Sequence, residues 1–397
     1  MSDAIRKTWQ LGKLGESGVR AILDGFRIIQ GSVLAVDFDA ATGVLTVDAA
    51  DADAARQVET YVAGMRRTQK LIARKVLKQN HGSKITGGSI DEELARSPDI
   101  QLLGDGLTGL RGQVLALFRF FEREFKELAD SFGAEDNHYP VMIPNELLAE
   151  MGYFCHFPQH VTFCCHLPDN LPVLESVAAE SKTAGGGLPQ LDGRLVPPGH
   201  VLTPGVCLPC YCQQRDVVLD PGQIRRLTMQ NHVFRYEANS FRPLARAWDF
   251  TVRDIVFFGG HDDLVALRAE VMERVFGFCR EMDLDVTLEL ANDPFFLDAS
   301  RDKAVYQRMG EVKYELLFNL PQRDEPLAVS SFNLHRDYYT SIYNTRRAEG
   351  GLAESACIGF GLERWLYGFL SQKGMDPAKW PERVTSRMES AGRSAGF

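Results

Sequence analysis

Phe234-Arg235-Tyr236-Glu237, continued after a loop by Asp249-Phe250-Thr251-Val252-Arg253-Asp254-Ile255-Val256 and matched far downstream by Gly359-Phe360-Gly361-Leu362-Glu363-Arg364, are the stretches that decide how this chain folds. The run 232–260 reads as two strands joined by a charged turn, which sets Arg235 beside an arginine-rich loop carrying Arg242 and Arg246. The downstream stretch puts glycines on a strand that enters a helix at Leu362, so the backbone can approach a ligand while Arg364 points at it. A phosphate held between two guanidiniums accounts for both, because the planar fork matches phosphate oxygens and keeps its charge at any working pH. Together the signatures read as an ATP site.

Working outward, the chain has 397 residues, 45% apolar and 24% charged, enough for two domains or one large one with a sizeable core. Its net charge of −9 argues against a surface built throughout for nucleic acid while leaving room for one basic face. No signal-peptide core follows Met1, and no run approaches a spanning helix, so no membrane association and a cytoplasmic home are expected. Of eight cysteines, six (Cys155, Cys164, Cys165, Cys207, Cys210, Cys212) fall between 155 and 212, with Cys279 and Cys357 downstream. Thiol or metal chemistry is the better reading than a disulfide framework. Cys207-Leu-Pro-Cys210-Tyr-Cys212 resembles half a zinc ribbon without its second half. His156, His160 and His166 among Cys155, Cys164 and Cys165 form another cluster, but alternation over Val161 to Leu167 predicts a strand that splits them between faces.

Three segments are expected: an α/β extension over 1–105, a catalytic domain over 106–375 and a carboxyl-terminal tail over 376–397, small and polar enough after Val384 to be loosely held. In the extension, Arg27 to Asp37 and Gly43 to Asp48 read as strands, followed by a helix from about Ala54 to Gln79. On that helix Arg66, Lys70, Arg74 and Lys78 recur every four residues as a basic stripe, either a solvated face or a dock for an acidic partner. A helix over Leu107 to Phe132 leads into the proline-bounded Tyr139-Pro140-Val-Met-Ile-Pro144, and 182–200 reads as a turn-rich insertion.

In order with that proline strand, the signatures resemble the three motifs of class II aminoacyl-tRNA synthetases across roughly 110–370. The match is nearest to the methanogenic type of seryl-tRNA synthetase and to the amino acid:[carrier protein] ligases. It is carried by Leu202-Thr-Pro204-Gly-Val-Cys207-Leu-Pro209-Cys-Tyr211, Phe250-Thr-Val-Arg253-Asp254-Ile-Val256, Asp293-Pro-Phe-Phe296, Ser331-Phe-Asn333-Leu-His335 and Ser355-Ala-Cys357-Ile-Gly-Phe-Gly-Leu-Glu363-Arg364. The resemblance implies an α+β fold, an antiparallel sheet flanked by helices, and homodimerisation with Pro140 or Pro144 at the two-fold. It implies that Arg235 holds the α-phosphate, Glu237 the adenine amino group, Phe250 the adenine ring and Arg364 the γ-phosphate of ATP with its Mg2+, with Arg246 nearby. Ser331 and Asn333 become candidates to line the amino-acid pocket.

In those relatives a zinc ion held by Cys, Glu and Cys binds the substrate's amino group; the matching positions here are Cys207, Asp254 and Cys357. Aspartate is shorter than glutamate by one methylene, so either the backbone shifts to keep Zn2+ or Asp254 meets the amino group directly. The implied reaction is ATP-dependent activation of a small amino acid as its adenylate, followed by transfer to the phosphopantetheine thiol of an acyl or peptidyl carrier protein. Seryl-type charging of tRNA and a non-catalytic paralogue that binds ATP or amino acid are the alternatives.

Overall fold

The computed structural model describes residues 4–394 apart from 12–18, 20–21, 24–25, 27–32, 71–74, 85–88, 238–240, 292–311, 322 and 324–325. Strands Ile5–Gln10, Val33–Asp39 and Val44–Ala49 form a small antiparallel sheet with Val44–Ala49 in the middle. Leu45 and Val47 on its inner face pack against Val58, Val62 and Met65, spaced along one face of the helix Ala52–Lys70.

Among the described residues that helix runs to Lys70, and the end of the helix expected to reach Gln79 is not helical. Val76–Asn80 is instead an edge strand of the large sheet, paired antiparallel with Val286–Leu290, and the Lys78 ammonium meets Glu273. The four-residue stripe is thus broken: Lys78 sits on a strand, and Arg74 lies outside the described residues. The boundary expected near 105 moves with it. Ile90 and Leu94 belong to the main core, and the hairpin Ile100–Gly104/Leu107–Leu110 presents the Gly106 carbonyl to the Trp248 N–H at 2.9 Å. Leu107–Leu110 being a strand, the next helix begins at Gly112, whose φ of +56° breaks the extended run.

The main body is α+β. Its eight-stranded sheet runs Val76–Asn80, Val286–Leu290, Lys313–Phe318, Leu327–Arg336, Glu354–Gly361, Asp249–Gly259, Arg225–Phe234 and Glu135–Asn137, antiparallel except for the last pair. One face is covered by helices Gly112–Ser131, His261–Glu281 and Leu362–Lys373 around Phe121, Phe125, Phe318, Phe360 and Trp365. Phe125 stacks on Phe360 at 4.3 Å, locking the first helix to the sheet's centre. The other face is walled by the small sheet Met142–Pro144, His200–Leu202 and Thr162–Cys164, and by helices Asn145–Glu150, Leu208–Gln213 and Tyr338–Ile342.

The carboxyl-terminal segment is not loose up to residue 394. It forms the helix Glu382–Ser394, with Val384 fully buried. Arg383 and Arg387 both bind the buried Glu124, so a desolvated carboxylate holds the helix down. Among the described residues no helix is long and apolar enough to cross a membrane.

Candidate functional site

Side chains alternate between the faces of a strand, and register decides which of them meet. Asp254 lies opposite Gly359, Gly359 opposite Ser331, and Ser331 opposite Glu315. The neighbouring row runs Val256, Cys357, Asn333 and Lys313. Polar groups from four strands therefore form a grid on the face away from the helical core, as the floor of a cavity of about 860 Å³. All ten residues singled out from the sequence (Cys207, Arg235, Glu237, Arg246, Phe250, Asp254, Ser331, Asn333, Cys357 and Arg364) line it.

Cys207 reaches the floor from the turn before helix Leu208–Gln213. Its sulfur, that of Cys357 and an Asp254 oxygen lie within 4.8 Å of one another, the one metal-competent group among the described residues. The half zinc ribbon is not assembled, since Cys210 is buried in the helix and stands outside that group; nor do His156, His160, His166 and their cysteines make a metal site among the described residues. Burial pushes the Asp254 carboxyl up to about 6, against hydrogen bonds from both thiols and the nearby Arg235 that pull it down. The Cys207 thiol lies above its usual range: its hydrogen bond with Cys357 lowers it, but burial and the Asp254 charge prevail. Cys357 is raised well above the usual range by its hydrogen bond to Cys207, by burial and by Asp254. Three acids that resist ionising side by side are a donor set a divalent cation would favour. Two sulfurs and one oxygen suit zinc, with one position left for a ligand. Gly359 makes this approach feasible, because a Cβ there would lie 2.8 Å from Asp254 Oδ1 and 3.3 Å from Ser331 Oγ.

At the other end, Arg235 follows the Arg225–Phe234 strand. Its Nε donates to the Pro204 carbonyl at 2.8 Å, and its guanidinium sits 5.7 Å from the Phe250 ring. Arg246 Nε stands 3.2 Å from Glu237 Oε2. Arg364, in the first turn of helix Leu362–Lys373, donates from Nε to the Ala245 carbonyl at 3.1 Å and from Nη1 to the Ala328 carbonyl at 3.3 Å. Burial lowers its pKa, yet guanidinium remains a cation, so three arginines converge, with Glu237 and Glu315 offsetting Arg364 and Asp254 near Arg235. Glu363 accepts the Thr251 N–H at 2.8 Å, tying the downstream signature to the upstream one.

Sequence reasoning missed Lys313 and Glu315, whose side chains are 3.0 Å apart on the floor, and the stacked Tyr211–Tyr339 pair at 4.0 Å behind the cysteines. Alternation in Lys313-Tyr-Glu315 was the available signal; nothing local announced the tyrosines. Asp293 to Phe296, one of the quoted stretches, lies outside the described residues.

A largely antiparallel sheet whose centre carries the Phe-Arg-x-Glu hairpin and the glycine strand with its arginine helix defines a class II aminoacyl-tRNA synthetase-like fold. No protein-family model matches the chain. It is 30% identical over 252 residues to amino acid–[acyl-carrier-protein] ligase 1 of Bradyrhizobium diazoefficiens, covering 64% of this chain and 76% of that protein. To the type-2 serine–tRNA ligase of Methanopyrus kandleri it is 26% identical over 318 residues, covering 76% of this chain and 60% of the relative. In fold it matches M. kandleri SerRS, solved with A. aeolicus tRNASec, at a TM-score of 0.72 and 22% identity over 91% of this chain and 74% of that one. The chain belongs to the class II aminoacyl-tRNA synthetase-like family that holds these two kinds of ligase.

Burial pushes the Glu363 carboxyl up to about 7 from an ordinary value of 4.5. The folded state then binds this proton more tightly than the unfolded state, so its stabilising effect is complete below pH 4.5 and disappears as pH rises through 7. Glu363→Gln keeps an acceptor for Thr251 but cannot titrate. The stability of the native chain minus that of the variant should fall by up to about 1.4 kcal/mol per pH unit across this window, measured by urea unfolding at several pH values. A pH-independent difference would remove Glu363 as a buried titrating group.

Proposed function

We propose that the protein activates a small amino acid with ATP, as an aminoacyl-adenylate with release of pyrophosphate, and passes the aminoacyl group to the phosphopantetheine thiol of a carrier protein. The observation carrying this reading is the single cavity in which Arg235, Arg246 and Arg364 converge at one end and Cys207, Asp254 and Cys357 at the other. Arg235 over Phe250 suits an α-phosphate beside a stacked adenine, Glu237 the adenine amino group and Arg364 the γ-phosphate, with Mg2+ accompanying the nucleotide. The carboxylate of the amino acid is already a nucleophile, so positioning and charge neutralisation suffice for this step. Bound by Cys207, Asp254 and Cys357, zinc would supply a Lewis acid that fixes the substrate's amino group. Ser331 and Asn333, joined at 3.1 Å, offer short polar groups to a small side chain.

The carrier protein is supported by the higher identity and larger share covered in the carrier-protein ligase, 76% against 60% for the serine–tRNA ligase. One observation favours tRNA instead. The fold match to the tRNA-bound synthetase leaves about a tenth of the chain unmatched, fewer residues than precede Val76, so part of the amino-terminal unit shares that fold. A cytoplasmic homodimer belongs to the same reading.

Arg364→Ala should slow amino-acid-dependent pyrophosphate exchange by about two to three decades, a loss of about 2–4 kcal/mol in transition-state binding. Near-native exchange would remove Arg364 from the nucleotide site. Purified protein should hold about one zinc per chain by atomic emission, with Cys207→Ser and Cys357→Ser losing it and Cys210→Ser keeping it. Dependence on Cys210 rather than Cys357 would point to a structural knuckle. Offered a phosphopantetheinylated carrier protein and bulk tRNA together, the native chain should label the carrier; labelled tRNA alone would select the seryl-type reading, and no adenylate with any amino acid the non-catalytic one.

A further inference from the structure

Adenylate formation needs no base, but transfer does: a thiol is mostly protonated at neutral pH and attacks only as the thiolate. We propose that His160 is the base that takes the proton from the acceptor's nucleophile, a reading that rests on the adenylate chemistry proposed above. His160 ends the short turn Pro158–His160, half-buried and lining the cavity beside Gln159, with its ring parallel to Phe157 at 5.8 Å. Two hydrogen bonds lace this turn to the arginine arm: the Tyr236 N–H donates to the His160 carbonyl at 3.1 Å, and Trp248 Nε1 donates to Thr162 Oγ1 at 2.8 Å. The arm is closed on itself by the Arg235 N–H to the Trp248 carbonyl at 2.9 Å. His160 is thereby carried on the same tie as Arg235, the residue proposed to hold the α-phosphate from which the aminoacyl group departs.

The other imidazole of the cavity lining, His335, lies edge-on to Tyr339 at 5.0 Å and to Tyr211 at 6.0 Å, on the sheet at the cysteine end. His232 is hydrogen-bonded to Asp249 and is not among the lining residues. The charged and titratable groups that share the cavity lining with His160 include Arg235, Tyr236, Glu237 and Arg246 from the arm and Tyr153 from its own side, while His156 packs edge-on against Phe157. In the step, the thiol proton moves to a His160 ring nitrogen as sulfur forms the bond to the acyl carbon. The bond from that carbon to the phosphate oxygen breaks, and AMP leaves with the electron pair.

The test uses the full-length chain with its adenylate formed from ATP and amino acid, captured either by pantetheine, which must lose a proton to attack, or by hydroxylamine, which attacks as the neutral amine. In His160→Gln, transfer to pantetheine should fall about 10²- to 10⁴-fold while hydroxamate formation falls far less. The variant's thiol transfer should also keep rising with pH toward the thiol's own pKa, whereas native transfer levels off earlier. Parallel losses with both nucleophiles would show His160 shaping the site rather than moving a proton, and native-level transfer to pantetheine would remove it from the step; either overturns the proposal. Native protein that forms no hydroxamate overturns the adenylate reading beneath it, and native protein that forms hydroxamate but never acylates pantetheine overturns the thiol step alone.

Discussion

The antiparallel register between Asp249–Gly259 and Glu354–Gly361 is the constraint on which the site depends. It sets Asp254 against the bare backbone of Gly359 and Cys357 against Val256, and it aims both acids away from the helical core. A slip of one residue by the Asp249–Gly259 strand would swing Asp254 into the face where Phe125, Trp365 and Phe318 pack, and would lift Ile255 and Phe257 into the cavity. Burying an unpaired carboxylate there costs several kcal/mol, so core packing and site geometry enforce the same pairing. Phe360, between Gly359 and Gly361, shows this directly: its ring locks the core while its neighbours leave the floor open.

Charge then divides the cavity. Cations gather at one end: Arg235 and Arg364 are held by the backbone carbonyls of Pro204, Ala245 and Ala328, and Arg246 by the Glu237 carboxylate. At the other end, a carboxyl and two thiols are buried together: burial raises all three, and the Asp254 charge adds to the rise of both thiols, while hydrogen bonds from the thiols pull Asp254 back down. Under the proposed function, a zwitterionic amino acid would lie along this gradient with its carboxylate toward the arginines and its ammonium toward Asp254.

The periphery holds the floor in place. Lys373, buried at the end of the arginine-bearing helix, donates to the carbonyls of Ser83 at 2.9 Å and Asp283 at 2.6 Å, joining the segment after the edge strand to the body. Glu124, gripped by Arg383 and Arg387, does the same for the carboxyl-terminal helix. Ser83 is thus tied to the body by a buried ammonium that meets backbone carbonyls, and the helix Glu382–Ser394 by a buried carboxylate that meets two guanidiniums.

The sequence by itself determined the central hairpin, the glycine strand entering its helix at Leu362, the α+β architecture and ten residues that share one cavity. Those signals are local: alternation at period two, glycine where backbone must come close, arginine where an anion must be met. Whatever depends on partners distant in the chain was decided by tertiary structure alone. Val76–Asn80 continues a helical pattern until Val286–Leu290 offers it an edge, and 382–394 looks polar and loose until a buried Glu124 supplies a partner for its arginines. Tyr339 and His160 enter the site through packing and hydrogen bonds between segments far apart in sequence, which no local pattern encodes, and the alternation of Lys313 and Glu315 marks a shared face without saying that register turns it to the cavity.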